Sequence, residues 1–150
     1  MNNYSKNFEV IWADMDPNRH MRHTAYNDYA AQVRVSFMID NGLSLEEMEK
    51  LQLGPVLFKE ETVFLSEIRM GEQIKVDIQI AGLSHDGERW KMVHHIYKND
   101  GKLSAIITVE GAWIDMMKRK LKAPPAKLTA NFNELPKTSD YKEIVKNVKN

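Results

Sequence analysis

Apolar residues recur along the chain with two different periods. Phe8, Val10 and Trp12 alternate with Glu9 and Ile11, which predicts a short strand. A charged, turn-rich stretch follows from Ala13 to His23, where Pro17 and Asn18 predict a loop. Tyr26, Tyr29, Ala30, Val33 and Phe37 then fall at helical spacing, so a long amphipathic helix is expected over about 24–41. Thr24 is the expected N-cap, and Asn41-Gly42 the stop. Ser44 with Glu47 three residues on is a capping box, predicting a short second helix ending near Leu53-Gly54-Pro55.

From Val56 the period shortens to two. A strand is expected over Val56 to Leu65. Another is expected where Ile74, Val76, Ile78 and Ile80 alternate with Lys75, Asp77 and Gln79. Asp86-Gly87 and Asp100-Gly101 mark hairpin turns around strands at Trp90 to Lys98 and Leu103 to Ile114. These four strands are expected as an antiparallel meander. After Asp115, Pro124-Pro125 breaks the pattern, and an extended tail over 126–150 with one short helix near Tyr141 to Val148 is expected. One long helix and about five strands must share a core. The simplest solution is a curved antiparallel sheet wrapped around the helix, an α+β fold. Its open edges invite pairing with a second copy.

Composition narrows this picture. The 150 residues, 43% of them hydrophobic, suit one globular domain with a core of its own, taken as about 7–125. With 21 basic and 21 acidic residues, the chain does not read as a uniformly basic nucleic-acid binder. No cysteine is present, which excludes disulfides, thiolate metal sites and a cysteine nucleophile. No signal-like or membrane-spanning apolar run is seen, so a cytoplasmic protein is expected. Residues 117–150 carry 9 basic and 3 acidic side chains. The dense run Lys118-Arg119-Lys120-Leu121-Lys122 reads as a solvated end or as a contact for a phosphorylated ligand.

Asp14 to His23 concentrates the chemistry: two carboxylates, Asn18, two histidines and two arginines lie just before a helix start. Free N–H groups there can hold an oxyanion, and a nearby carboxylate can act as general base or nucleophile. Loop solvation and capping would call for similar residues. Asp14 is either a second carboxylate acting on Asp16 or a structural acceptor. His20 and His23 with His94 and His95 do not read as a metal site, because neighbouring strand residues point to opposite faces. Tyr26 and Tyr29 lie on the core stripe. Lys59, Arg69, Arg89 and Lys91 are cations able to meet phosphates, with nothing to single one out.

The run Trp12-Ala13-Asp14-Met15-Asp16-Pro17-Asn18-Arg19-His20-Met21-Arg22-His23-Thr24-Ala25-Tyr26 resembles the signature of hotdog-fold thioesterases. It is similar to the 4-hydroxybenzoyl-CoA thioesterase group and to acyl-ACP thioesterases. Asp14, Asp16, Asn18, His20 and Tyr26 fall on the pattern without a gap. Leu65 to Glu72 and Asp115 to Lys120 resemble later parts of the family. The resemblance implies a hotdog fold, assembly as a homodimer or homotetramer, and hydrolysis of acyl-CoA or acyl-ACP without a cofactor. It implies Asp16 as the catalytic carboxylate, Asn18 and His20 as orienting groups, and the amide near His23 as the group polarising the thioester carbonyl. Tyr26, Lys59 and Arg69 become candidates for substrate contact. Two departures stand out. Arg22-His23 replaces the family's Asn-Asn, and no Glu lies within 24–42. A hydratase or dehydratase and an idle acyl-CoA binding module are the competing readings.

Overall fold

The computed structural model describes residues 3–146. In chain order the elements are β1 (Ser5–Glu9), a 3-10 turn (Trp12–Asp14), α1 (Ala25–Asp40), α2 (Leu45–Leu51) and β2 (Leu53–Phe64). Then come β3 (Gln73–Asp77), β4 (Gln79–Leu83), β5 (Arg89–Tyr97), β6 (Leu103–Asp115), β7 (Lys120–Leu121) and α3 (Ala126–Asn133). One antiparallel sheet runs in the order β1-β3-β5-β6-β2, with β4 on β5 and β7 on β6. Its inner face carries Ile74, Val76, Ile78, Ile80, Met92, Ile96, Ile107 and Val109, all buried with Tyr26, Ala30, Val33 and Phe37 of α1. The sheet thus wraps one long helix, as the alternating and helical periods require.

Several boundaries differ from expectation, each for a local reason. The first strand ends at Glu9, and Trp12 sits in the 3-10 turn with its indole 78% exposed. Thr24 takes the N-cap position in helical conformation, and its hydroxyl accepts from Arg22 Nη1 at 2.5 Å instead of from a helix amide. Ser44 does cap α2, accepting from the Glu47 amide at 3.1 Å, but α2 stops earlier than expected, at Gln52 in left-handed conformation. Leu53-Gly54-Pro55 therefore opens β2. The alternating run 74–80 is split at Ile78 into β3 and β4, with alternation intact. Gly87 and Gly101 adopt positive φ in the two expected hairpin turns.

The four-strand meander is corrected. β3 and β4 follow β2 in the chain, yet β2 lies at the far edge of the sheet beside β6, in register from Leu53↔Asp115 to Phe64↔Ala105. The expected C-terminal tail is corrected too. α3 lies at 126–133, and no helix is present over 141–146; residues 147 and 148 lie outside the described residues. Leu128 and Phe132, one turn apart, are buried with Leu135, and Phe132 meets Phe37 with ring centroids 4.9 Å apart. Beyond it the chain runs along the outer edge of β4. Thr138, Lys142 and Ile144 donate their amides to Ile80, Ala81 and Leu83 carbonyls, and Lys146 Nζ reaches Asp86 at 2.6 Å. This covers an edge that would otherwise offer unpaired backbone groups. Among the described residues no helix is long and apolar enough to cross a membrane.

Candidate active site

The charged loop before α1 is a small closed structure. Asp16 N–H donates to the His20 carbonyl at 2.9 Å, and Arg19 N–H to the Asp16 carbonyl at 3.0 Å. Arg19 adopts φ 68° at the turn. Met21 is buried, and its amide donates to the Ile68 carbonyl at 2.7 Å. The Arg22 amide donates to the Asp14 carbonyl at 2.7 Å, closing the loop against the start of α1.

The two carboxylates have different surroundings. Asp14 is 15% exposed at its side chain; it accepts from the Tyr29 hydroxyl and lies 3.5 Å from Arg22 Nη2. Burial and the bond to Asp14 push the Tyr29 phenol above its ordinary value. Asp14 thus fastens the loop to α1, the structural role of its two possible ones. Asp16 Oδ1 accepts from the amides of Asn18 at 2.8 Å and His20 at 3.2 Å. Its Oδ2 makes no hydrogen bond among the described residues. Two fixed amides hold the carboxyl plane and leave one oxygen available, an arrangement suited to taking a proton or attacking a carbon.

Asp16, His20, His23 and Tyr26 come together on one cavity of about 350 Å³, closed on the opposite side by Phe64, Leu65, Ser66 and Glu67. His20 Nε2 lies 2.9 Å from Glu67 Oε2. Tyr26 is buried, edge-on to Phe64 at 5.0 Å between ring centroids, and burial raises its phenol pKa. The His23 side chain is exposed, and its N–H, at the positive end of α1, has no acceptor among the described residues. Asn18 contributes its backbone N–H, not its side chain. Across Asp16, a second groove of about 650 Å³ is lined by Trp12, Arg19 and Met70.

Two expected contacts are not brought to the cavity. Glu60, Thr62 and Phe64 share the inward face of β2, where Thr62 Oγ1 meets Asn27 Oδ1 at 3.0 Å, so Lys59 faces outward and is exposed. Arg69 is exposed; its backbone bridges His20 and its amide donates to Glu72 Oε2 at 2.8 Å. Sequence reasoning missed Glu67 and Phe64, because strand and loop residues remote in sequence carry no local signal of meeting the Asp16 loop. His94 and His95 lie on opposite faces, one against Arg34 inside and one against Asp77 outside.

Comparison with known proteins places this geometry. A Staphylococcus aureus protein solved in complex with CoA superposes with TM-score 0.82 at 25% identity, over 92% of this chain and 89% of that one. A 1,4-dihydroxy-2-naphthoyl-CoA thioesterase from Synechocystis superposes with TM-score 0.79 at 16% identity, over 89% and 98%. A DHNA-CoA thioesterase from Staphylococcus aureus gives 0.80 at 18% identity, over 89% and 91%. No curated protein sequence matches the chain. The fold is the hotdog fold. The model of the thioesterase-like superfamily matches residues 10–132, and the chain belongs to that superfamily.

Proposed function

We propose that this chain hydrolyses acyl thioesters of coenzyme A, with Asp16 as the reacting carboxylate. The observation that carries the reading is the Asp16 carboxyl group itself. One oxygen is held by two amides and the other is open to a cavity that also borders the unpaired His23 amide.

With the thioester carbonyl oxygen at that amide, Asp16 Oδ2 takes a proton from water as the water oxygen bonds the carbonyl carbon. The amide and the positive end of α1 carry the oxyanion. Its collapse breaks the carbon–sulfur bond; the departing thiolate takes the proton, and Asp16 is ionised again. Direct attack by Oδ2 would give a mixed anhydride that water then opens, with the same products. Asn18 and His20 act through their amides on Asp16, and Glu67 fixes the His20 ring. Tyr26 and Phe64 form the apolar wall for the first atoms of the acyl group. Arg69 and Arg19, on the rim, are placed for phosphates of coenzyme A; Lys59 is assigned no such contact. An acyl carrier protein would present the same thioester.

We also propose a homodimer through β2. This edge is twelve residues long and exposes Leu57, Phe58, Val63 and Phe64. The opposite edge, β1, is five residues long and carries Lys6. Pairing of β2 with a second β2 would extend the sheet and bury those side chains. Phe58→Lys would then convert a dimer to a monomer in light scattering.

The test is thiol release from a panel of acyl-CoAs, read with a colorimetric thiol reagent against which this cysteine-free chain is silent. Turnover of at least one acyl class is expected. No turnover alongside measurable acyl-CoA binding would overturn the reading and leave a binding module.

A further inference from the structure

A second cavity, of about 260 Å³, lies between α1 and the inner face of the sheet. Ala31, Arg34 and Met38 line it from α1, and Leu57, Trp90 and Trp113 from the strands. Arg34 is the only charged residue in its wall. The other lining residues are apolar or aromatic.

Arg34 has an unusual set of partners. Its Nη1 lies 3.0 Å from Nε2 of His94, a fully buried ring. His94 Nδ1 lies 2.8 Å from the Asp77 carbonyl oxygen. That oxygen can only accept, so Nδ1 carries the proton and Nε2 is an acceptor. Burial and the adjacent guanidinium keep the ring neutral. Arg34 therefore spends one N–H on an uncharged partner, and no carboxylate comes within ion-pair distance among the described residues. Glu60, on the inward and exposed face of β2, acts on it only at longer range. The indole N–H groups of Trp90 and Trp113 are buried and likewise have no acceptor. Trp90 is fixed in place over Gly111, where a Cβ would come within 2.6 Å of the ring. Three donor-bearing side chains without a matching acceptor surround one apolar cavity. Buried donors of this kind are costly unless an acceptor arrives.

We propose that this cavity receives a ligand carboxylate, the far end of the acyl group, so that the preferred substrates are thioesters of dicarboxylic acids. This rests on the thioesterase reading above and adds the substrate class. Tyr26 at the first cavity and Arg34 at the second lie on one helical stripe, joined by Ala30. Eight residues at 1.5 Å each separate them by about 12 Å along the helix. Small side chains at Ala30 and Ala31 leave that path to a chain of methylenes, and the carboxylate at its end meets the guanidinium.

The experiment compares octanedioyl-CoA with octanoyl-CoA, and half-thioesters of the neighbouring chain lengths, by kcat/KM. Calorimetry measures binding of free octanedioate and octanoate to the same protein. The wild type is expected to prefer the carboxylated thioester by about tenfold or more, the size of one charge-assisted hydrogen bond. Arg34→Gln should abolish that preference, and Arg34→Lys retain part of it. Trp113→Phe keeps the ring and deletes the N–H; it should lower the preference without slowing octanoyl-CoA, and it carries the test if Arg34→Gln fails to fold. Octanedioate binding that is lost in Arg34→Gln, without hydrolysis of any thioester, would keep this site and remove the thioesterase reading. Equal hydrolysis of both thioesters with no binding of the diacid would overturn the site and leave the thioesterase reading standing.

Discussion

Acidification should destabilise the fold through one buried ring. His94 is enclosed between α1 and β5, hydrogen-bonded to the Asp77 carbonyl and to Arg34. Burial is the main cause, and the Arg34 charge the second, of a pKa lowered from 6.5 to about 3. In the unfolded chain the ring titrates near 6.5. Between those values the unfolded state binds a proton that the folded state does not, so unfolding free energy falls as pH falls. The stabilisation is present above pH 6.5 and is lost as pH drops from there toward 3. From pH 7 to pH 5 the shift corresponds to about 2 kcal/mol, or about 4–8 °C in melting temperature for a domain of this size. Other groups titrate in the same window, so the assay is differential: urea unfolding of wild type and His94→Gln at both pH values. Gln keeps an acceptor for Arg34 and removes the titration. The wild type should lose about 2 kcal/mol more than the variant between the two pH values. An equal loss in both proteins would refute the argument that His94 is held neutral.

Three further outcomes follow from contacts already described. Tyr29→Phe removes the hydroxyl that donates to Asp14, so the urea midpoint should fall by the equivalent of about 1–2 kcal/mol; an unchanged midpoint would mean that the bond contributes nothing. Phe132→Ala should cost about 3–5 kcal/mol in the same assay, because the ring is 2% exposed and packs on Phe37. Asp77→Asn should lower the His95 pKa, which the Asp77 bond raises, in an NMR titration. In the wild type that raised value gives stability fully present below about pH 6.5 and lost as pH rises through the folded value, so Asp77→Asn should be most damaging at acid pH.

Much of this architecture was written in local periodicity. The buried faces of β3, β4 and α1 follow from Ile74, Val76, Ile78 and Ile80 and from Tyr26, Ala30, Val33 and Phe37. The two Asp-Gly turns announced the hairpins that Gly87 and Gly101 make. What failed was non-local. The place of β2 beside β6 depends on which strand satisfies its backbone, and sequence order suggested the wrong neighbour. Trp12 fits an alternating strand by type, yet the chain must turn there to bring Asp14 under Tyr29. Leu128 and Phe132 held a helical signal, but Pro124-Pro125 masked it. In the candidate site, Asp16, His20, His23 and Tyr26 were legible because they are close in sequence. Glu67 and Phe64 arrive from the end of β2 and the loop after it. Arg34 and His94 find each other across 60 residues, which no motif could have disclosed.

The most direct test of the central claim is the Asp16→Asn variant, assayed for thiol release on the best acyl-CoA with KM and kcat measured separately. Asn preserves an oxygen acceptor for the Asn18 and His20 amides while removing the basic carboxylate. The account predicts a kcat lower by about a hundredfold or more, the scale of a lost general base, with KM changed little. A kcat within a few-fold of wild type would contradict it and move the chemistry to another group.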